Sequence, residues 1–207
     1  MSKLYADYEE VISPNLYFDR YFDVEAVKIL PGEYYVSAKD MVLVTVLGSC
    51  VAACIRDRKN GIGGMNHFML PGDGRDILSA SARYGTYAME KMINDLLKMG
   101  AKRGNLEAKL FGGGHVVEGI TMSNVGERNA AFALDYLETE NIAVVAQDML
   151  DIYPRKVYFF PNSGRVMVKK LRGVPNDTII KREQLYSSRL EVSEVQGDVE
   201  LFDRDDK

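Results

Sequence analysis

The chain has 207 residues, 46% apolar, 27% charged and 10% aromatic, the balance of a folded globular domain and not of a disordered or fibrous chain. With 30 acidic and 26 basic residues the net charge is −4, of the wrong sign and size for a protein whose main partner is a phosphate backbone, which argues against nucleic acid. No apolar run approaches the roughly 20 residues that span a bilayer, and Met1 to Asp23 carries acidic residues where a secretory leader would be basic and then apolar, so the expected location is the cytoplasm without membrane insertion.

Residues 1–32 hold Tyr5, Tyr8, Tyr17, Phe18, Tyr21 and Phe22 without a sustained helical or strand period. They read as an N-terminal extension that wraps on the body or stays mobile. A single domain over 33–190 follows, long enough to bury one core. Met41 to Leu47, a continuous β-branched and apolar run closed by Gly48, suits a strand buried on both faces. Val51–Asp57 and Ile62–Leu70 flank Arg58-Lys59-Asn60-Gly61, and Asn-Gly between apolar runs is a strong hairpin signal. From Ser79 or Ser81 to Met99 apolar residues recur every three to four positions, with Gly100 just beyond, which predicts a helix. Strands are expected at Leu106–Phe111, Ile142–Gln147, Val157–Phe160 and Arg165–Leu171, and a second helix from about Glu127 to Glu138. Arg155 to Arg189 holds nine basic residues against Asp177 and Glu183, which suggests a basic face. The last 17 residues, 191–207, carry seven acidic and two basic residues and read as a solvated tail. Strands outnumber helices about three to one, and most joins look like hairpins. The expected class is α+β, a layered β-sheet core flanked by helices.

The candidate chemistry is short to enumerate, because the chain has two histidines and two cysteines. Cys50 and Cys54 are too close to staple a fold and lack further zinc ligands nearby, so they are expected to be free thiols. A turn centred between residues 58 and 61 places His67 opposite a residue between 50 and 54. Cross-strand neighbours on one face lie about 5 Å apart and a two-residue offset adds about 7 Å, so an odd register lets His67 meet Cys50. An even register, or a bulge at Gly63-Gly64, puts them on opposite faces. A cysteine beside an imidazole can form a thiolate–imidazolium pair that attacks a carbonyl carbon, and Gly48-Ser49 offers a bend whose N–H groups could receive an oxyanion. The alternative is a small thiol packed in a core.

Several segments together carry a resemblance. Thr45-Val46-Leu47-Gly48-Ser49-Cys50-Val51-Ala52-Ala53-Cys54, then Gly63-Gly64-Met65-Asn66-His67-Phe68-Met69-Leu70-Pro71, closely resemble the paired signature of the CheD family, the chemoreceptor glutamine deamidases. Lys109-Leu110-Phe111-Gly112-Gly113 and Asn124-Val125-Gly126-Glu127-Arg128-Asn129 look like two later motifs of that family, and the likeness covers roughly Glu33 to Leu171. The resemblance implies a cysteine amidohydrolase that acts on receptor glutamines without a metal or organic cofactor. It also implies a fold like the catalytic domain of the cytotoxic necrotizing factor toxins. On it, Cys50 is the nucleophile and His67 the general base and acid. Thr45 orients the imidazole through its hydroxyl, with Ser49 as the alternative, and Gly48 and Ser49 hold the oxyanion. The implied partners are the cytoplasmic helices of methyl-accepting chemoreceptors and a CheC-type phosphatase.

The remaining residues have plainer readings. His115 is expected as a loop histidine in solvent, Cys54 as core, Gly112-Gly113-Gly114 as a close backbone approach beside the site, and Glu127-Arg128-Asn129 as a cap with internal pairing. Asn66, adjacent to His67 on a strand, points to the other face and is no third member of a triad. Two rival functions are a non-catalytic adaptor that docks a receptor or a CheC-type phosphatase, and a small-molecule thiol hydrolase. The catalytic reading requires the sulfur and a ring nitrogen to meet at an accessible surface.

Overall fold

A computed structural model of the chain describes residues 15–70, 80–115, 125–172 and 177–192. In chain order the elements are β1 (Leu16–Asp19), β2 (Val24–Lys28), β3 (Tyr34–Ser37), β4 (Met41–Leu47), β5 (Val51–Asp57), β6 (Ile62–Asn66), α1 (Ala80–Lys98), a 3-10 turn at Arg103–Asn105, β7 (Leu106–Gly112), α2 (Val125–Thr139), β8 (Ala143–Met149), β9 (Arg155–Phe159), β10 (Val166–Lys170) and α3 (Asp177–Val192). The described residues thus form ten strands and three α-helices, an α+β architecture.

The strands make two mixed sheets of five, ordered β1-β2-β4-β9-β10 and β3-β6-β5-β7-β8. Leu43 and Leu47 of β4, Val27 of β2 and Phe159 of β9 meet Tyr35, Ala52, Cys54, Met65 and Phe111 of the second sheet in one buried cluster, so the sheets pack face to face. The other face of the second sheet presents Val51, Ala53, Ile55, Ala108 and Leu110 to Met89, Met92, Ile93 and Leu96 of α1 and Ala133 and Leu137 of α2. That alternation along β5 gives it two buried faces, and every residue of β4 except Val46 is buried as well. Ala26, Val42 and Val44 form a smaller cluster with Phe22 and Tyr158 on the outer side of the first sheet. The layers are therefore sheet, sheet and helices, and α1 and α2 lie on one side only. No helix among the described residues is long and apolar enough to cross a membrane.

Three differences from the sequence reading have physical causes. The N-terminal region supplies β1 and β2, and β2 runs parallel to β4 in the first sheet. Its strand period is hidden because Leu16, Tyr17 and Phe18 are all exposed on an edge strand. The hairpin expectation holds for β5–β6 and β9–β10, whereas β2–β4 and β7–β8 are parallel and joined through other elements. The basic stretch does not form one face. Arg155 is fully buried and donates to the carbonyls of Gly112, Asp148 and Leu150, Lys170 pairs with Asp148 and Asp151, and Arg182 donates to the Val46 carbonyl. Residues 1–14 and the tail beyond Val192 lie outside the described residues.

Candidate active site

Between β4 in one sheet and β5 in the other, the chain crosses over in three residues, Gly48-Ser49-Cys50. Their carbonyls are held from behind. Gly48 O accepts from Gly114 N at 2.8 Å, Ser49 O from Asn129 Nδ2 at 2.9 Å and Cys50 O from Gly113 N at 2.8 Å. In a trans peptide the N–H points opposite its carbonyl, so anchoring Gly48 O and Ser49 O aims the N–H groups of Ser49 and Cys50 toward the other side. Gly112 permits this close approach. It sits at φ +112°, and a Cβ there would lie 2.1 Å from the Cys50 carbonyl oxygen. The three-glycine run is thus the close backbone approach that the sequence suggested.

His67 follows β6, and its backbone is fixed by Gly32 N donating to its carbonyl and by its own N–H donating to Glu33 O. The pairs Cys54–Met65 and Val51–Phe68 share one register, which sets His67 opposite Ala52, the odd arrangement that puts it on the face of Cys50. Thr45 reaches the same space from β4. Its Oγ1 lies 2.8 Å from His67 Nδ1 and donates to the Ile29 carbonyl at 2.8 Å. A hydroxyl has one proton, so Thr45 must accept from Nδ1–H, which leaves Nε2 as the basic nitrogen. Among the described residues, buried Nε2 has no hydrogen-bond partner.

A carboxylate absent from the sequence reading completes the assembly. Glu183 of α3 accepts from Gly48 N at 2.8 Å and Cys50 N at 3.4 Å with Oε1, and from Ser49 N at 3.0 Å and Ser49 Oγ at 2.8 Å with Oε2. Cys50 Sγ, a His67 ring nitrogen and a Glu183 oxygen lie within 4.8 Å of one another. Cysteine, histidine and glutamate are zinc-ligand types, but here the carboxylate is turned to four N–H and O–H donors of residues 48–50. Ser49 therefore serves Glu183, and of the two hydroxyls it is that of Thr45 which bonds the imidazole.

The site is closed in this state. Cys50 is fully buried and His67 is 1% exposed, against the expectation of an accessible sulfur, because α3 covers them. Its Tyr186 hydroxyl bonds that of Tyr84 on α1, and Ile179 and Glu183 are buried on the same side. Burial first, then the charge of Glu183 and its hydrogen bond, raise the Cys50 thiol well above its ordinary range, and nearby Arg182 only partly offsets this. Burial, then the Arg182 charge, pull His67 down to about 3, against the Ile29 carbonyl. Both groups are neutral at pH 7, so the closed form holds no thiolate–imidazolium pair.

The other residues fall as follows. Cys54 is buried in the inter-sheet core. Asn66 faces the helices, accepting from Ala53 N and donating to the Met89 sulfur. His115 lies in the open beside Glu127, 3.2 Å away. Asn129 lies inside α2, which starts at Val125, and does not serve as the expected cap. Fully buried, it accepts from Leu70 N and donates to Ser49 O, tying the helix layer to the crossover. The only sequence hint of Glu183 was the helical spacing of Ile179, Arg182, Glu183 and Tyr186, obscured because that stripe is mostly polar.

Comparison with known proteins adds the family. Residues 69–170 match the family model CheD, described as CheD chemotactic sensory transduction. A protein of Thiobacillus denitrificans named probable chemoreceptor glutamine deamidase CheD is 65% identical over 197 residues, 94% of this chain and 98% of that protein. The chain belongs to the CheD family. A CheD relative of the same name from Janthinobacterium sp. is 62% identical over 94% of this chain and 97% of its own length. Another from Shewanella oneidensis, probable chemoreceptor glutamine deamidase CheD 1, is 56% identical over 91% and 93%. The match to the CheD family model starts two residues after His67, so the crossover, Cys50 and His67 lie N-terminal to it, whereas the similarity to the relatives runs over nearly the whole chain.

Proposed function

We propose that this CheD-family chain is a chemoreceptor glutamine deamidase, a protein-glutamine glutaminase working in the cytoplasm with Cys50 as nucleophile. The observation that carries the reading is the array Thr45–His67–Cys50 beside three backbone N–H groups that converge on one small space. His67 Nε2 takes the Sγ proton as the sulfur attacks the side-chain carbonyl carbon of a receptor glutamine. The resulting oxyanion is held by the N–H groups of Gly48, Ser49 and Cys50, each such donor being worth about 3 kcal/mol in related sites. The imidazolium protonates the departing nitrogen, ammonia leaves, and a thioester remains. Water, deprotonated by the same Nε2, attacks the thioester, and glutamate and the free thiol are released. Thr45 keeps the imidazole in the tautomer that this cycle needs.

The proposed fold is like that of the catalytic domain of the cytotoxic necrotizing factor toxins, a reading supported by the two-sheet core with helices on one side. The substrate reading comes from the relatives' names, and a CheC-type phosphatase is the expected further partner. The test is mass analysis of receptor cytoplasmic peptides incubated with the protein. Glutamine peptides should gain the mass of OH replacing NH₂ and release ammonia with the wild type and not with Cys50→Ala. Conversion that persists in a folded Cys50→Ala protein would overturn the assignment.

The buried state of Cys50 favours a second reading, an adaptor that binds a receptor or a CheC-type phosphatase without turnover. Restoration of chemotaxis in a deletion strain by Cys50→Ala would support it.

A further inference from the structure

We propose that α3 is a built-in product mimic: the Glu183 carboxylate fills the subsite in which a substrate carboxamide is hydrolysed, and α3 leaves its seat before a substrate helix binds. The inference rests on the deamidase reading above.

Three observations carry it. The first is the match of groups. Glutamate is the product of glutamine hydrolysis, with the same two-methylene reach, and Glu183 places its carboxyl group against Cys50 and His67. Its Oε1 takes the N–H groups of Gly48 and Cys50, the donors assigned above to the oxyanion.

The second is the manner of presentation. Glu183 projects from a helix, with Ile179 one turn before it, Tyr186 one turn after it and Arg182 beside it, as a glutamine would project from a receptor helix. The third is the way α3 is seated. Its polar links to the body include the Glu183 bonds, Arg182 Nη2 to the Val46 carbonyl at 2.9 Å, and Tyr186 to Tyr84. Ile179 is buried, whereas Leu185 on the far side is 56% exposed, so the helix contributes one narrow stripe to the molecule. Such a seat is polar, and a second helix offering a carboxamide could take over its donors. A resting site closed this way also keeps the thiol protonated, because the sulfur is buried and the Glu183 charge lies beside it.

The test uses the full chain. Glu183→Gln converts the mimic into a substrate analogue in place. Peptide mass analysis should find position 183 returned to glutamate, or trapped as the thioester to Cys50 with loss of ammonia, and the introduced carboxamide should persist in the Glu183→Gln/Cys50→Ala double variant. Glu183→Ala removes the plug. Iodoacetamide labelling of Cys50 and receptor deamidation should each rise by about tenfold over the wild type, since the competent open state is no longer a minor one. An unaltered carboxamide in Glu183→Gln together with unchanged labelling and deamidation in Glu183→Ala would overturn the product-mimic proposal and leave the deamidase reading standing. Faster labelling without ammonia from any of these proteins would overturn the deamidase reading, and the product-mimic proposal with it.

Discussion

At the residue scale the site depends on one hydroxyl proton. Thr45 Oγ1 spends it on the Ile29 carbonyl and so can only accept from His67 Nδ1, which keeps Nε2 free. Thr45→Val has nearly the same shape but takes one acceptor from Nδ1–H and one donor from the Ile29 carbonyl, and leaves the tautomer free to switch. The expected result is a loss of about 10²-fold in kcat for receptor deamidation with KM little changed, and Thr45→Ser should recover most of it. Equal kcat values for Val and Thr at this position would show that the orientation has another source. His67 also leaves a signature in stability. Its folded-state pKa, about 3, lies below the unfolded value of about 6.5, so below pH 6.5 the unfolded chain binds the extra proton. Stability is therefore full above pH 6.5 and declines as pH falls toward 3, by up to about 1.4 kcal/mol per pH unit from this group. Urea unfolding from pH 7 to pH 4 should give a distinctly shallower decline for His67→Gln than for the wild type.

At the scale of elements, the turn that brings His67 to Cys50 is pinned by Asp57. Burial opposes its charge, but the N–H groups of Lys102, Lys59 and Asn60 and the side-chain amides of Asn105 and Asn60 hold its carboxyl well below the usual range. A depressed pKa means that the stabilisation is complete above the unfolded value near 4 and is lost as pH falls below it. Asp57→Ala should lower stability by about 2–3 kcal/mol at pH 7, since several part-buried donors lose a charged acceptor, and the gap should narrow in acid. This hairpin was legible because Asn-Gly and the alternation beside it are local signals, whereas the turn left both odd and even registers open and only the strand pairing selects the odd one. The β4 run and the spacing of α1 were legible for the same reason. The site was read only in part. Cys50, His67 and Thr45 stand in motifs, whereas α3 shows no apolar stripe, because the side facing the site is built from Arg182, Glu183 and Tyr186 and counts as polar in any periodicity. β1 was hidden by aromatic residues exposed on an edge strand, where strict alternation is not required, and β2, inside the sheet between β1 and β4, buries Ala26 and Val27 side by side and so shows no alternation.

At the scale of the molecule, all three layers contribute to the space around Cys50: Thr45 from the first sheet, His67 from the second, and Asn129 from the helices. Asn129 is the joint between the helix layer and the crossover. Its Oδ1 receives Leu70 N at 2.9 Å and its Nδ2 holds Ser49 O at 2.9 Å, with the side chain fully buried. The second bond sets the plane of the Ser49–Cys50 peptide and hence the direction of the Cys50 N–H, which makes Asn129 a positioning residue without contact to the reacting atoms. Asn129→Ala should cost about 2–4 kcal/mol of stability, because a buried N–H and a buried carbonyl both lose their partners. Asn129→Asp separates the two functions. Its carboxylate can still accept from Leu70 N but meets the Ser49 carbonyl with an oxygen, so the peptide should turn away. If the layers act together, the Asp variant loses kcat at least as severely as the Ala variant, with KM for the receptor little changed. A folded Asp variant that kept full kcat would mean that the Gly113 and Gly114 contacts alone hold the crossover, and that the helix layer contributes only its core.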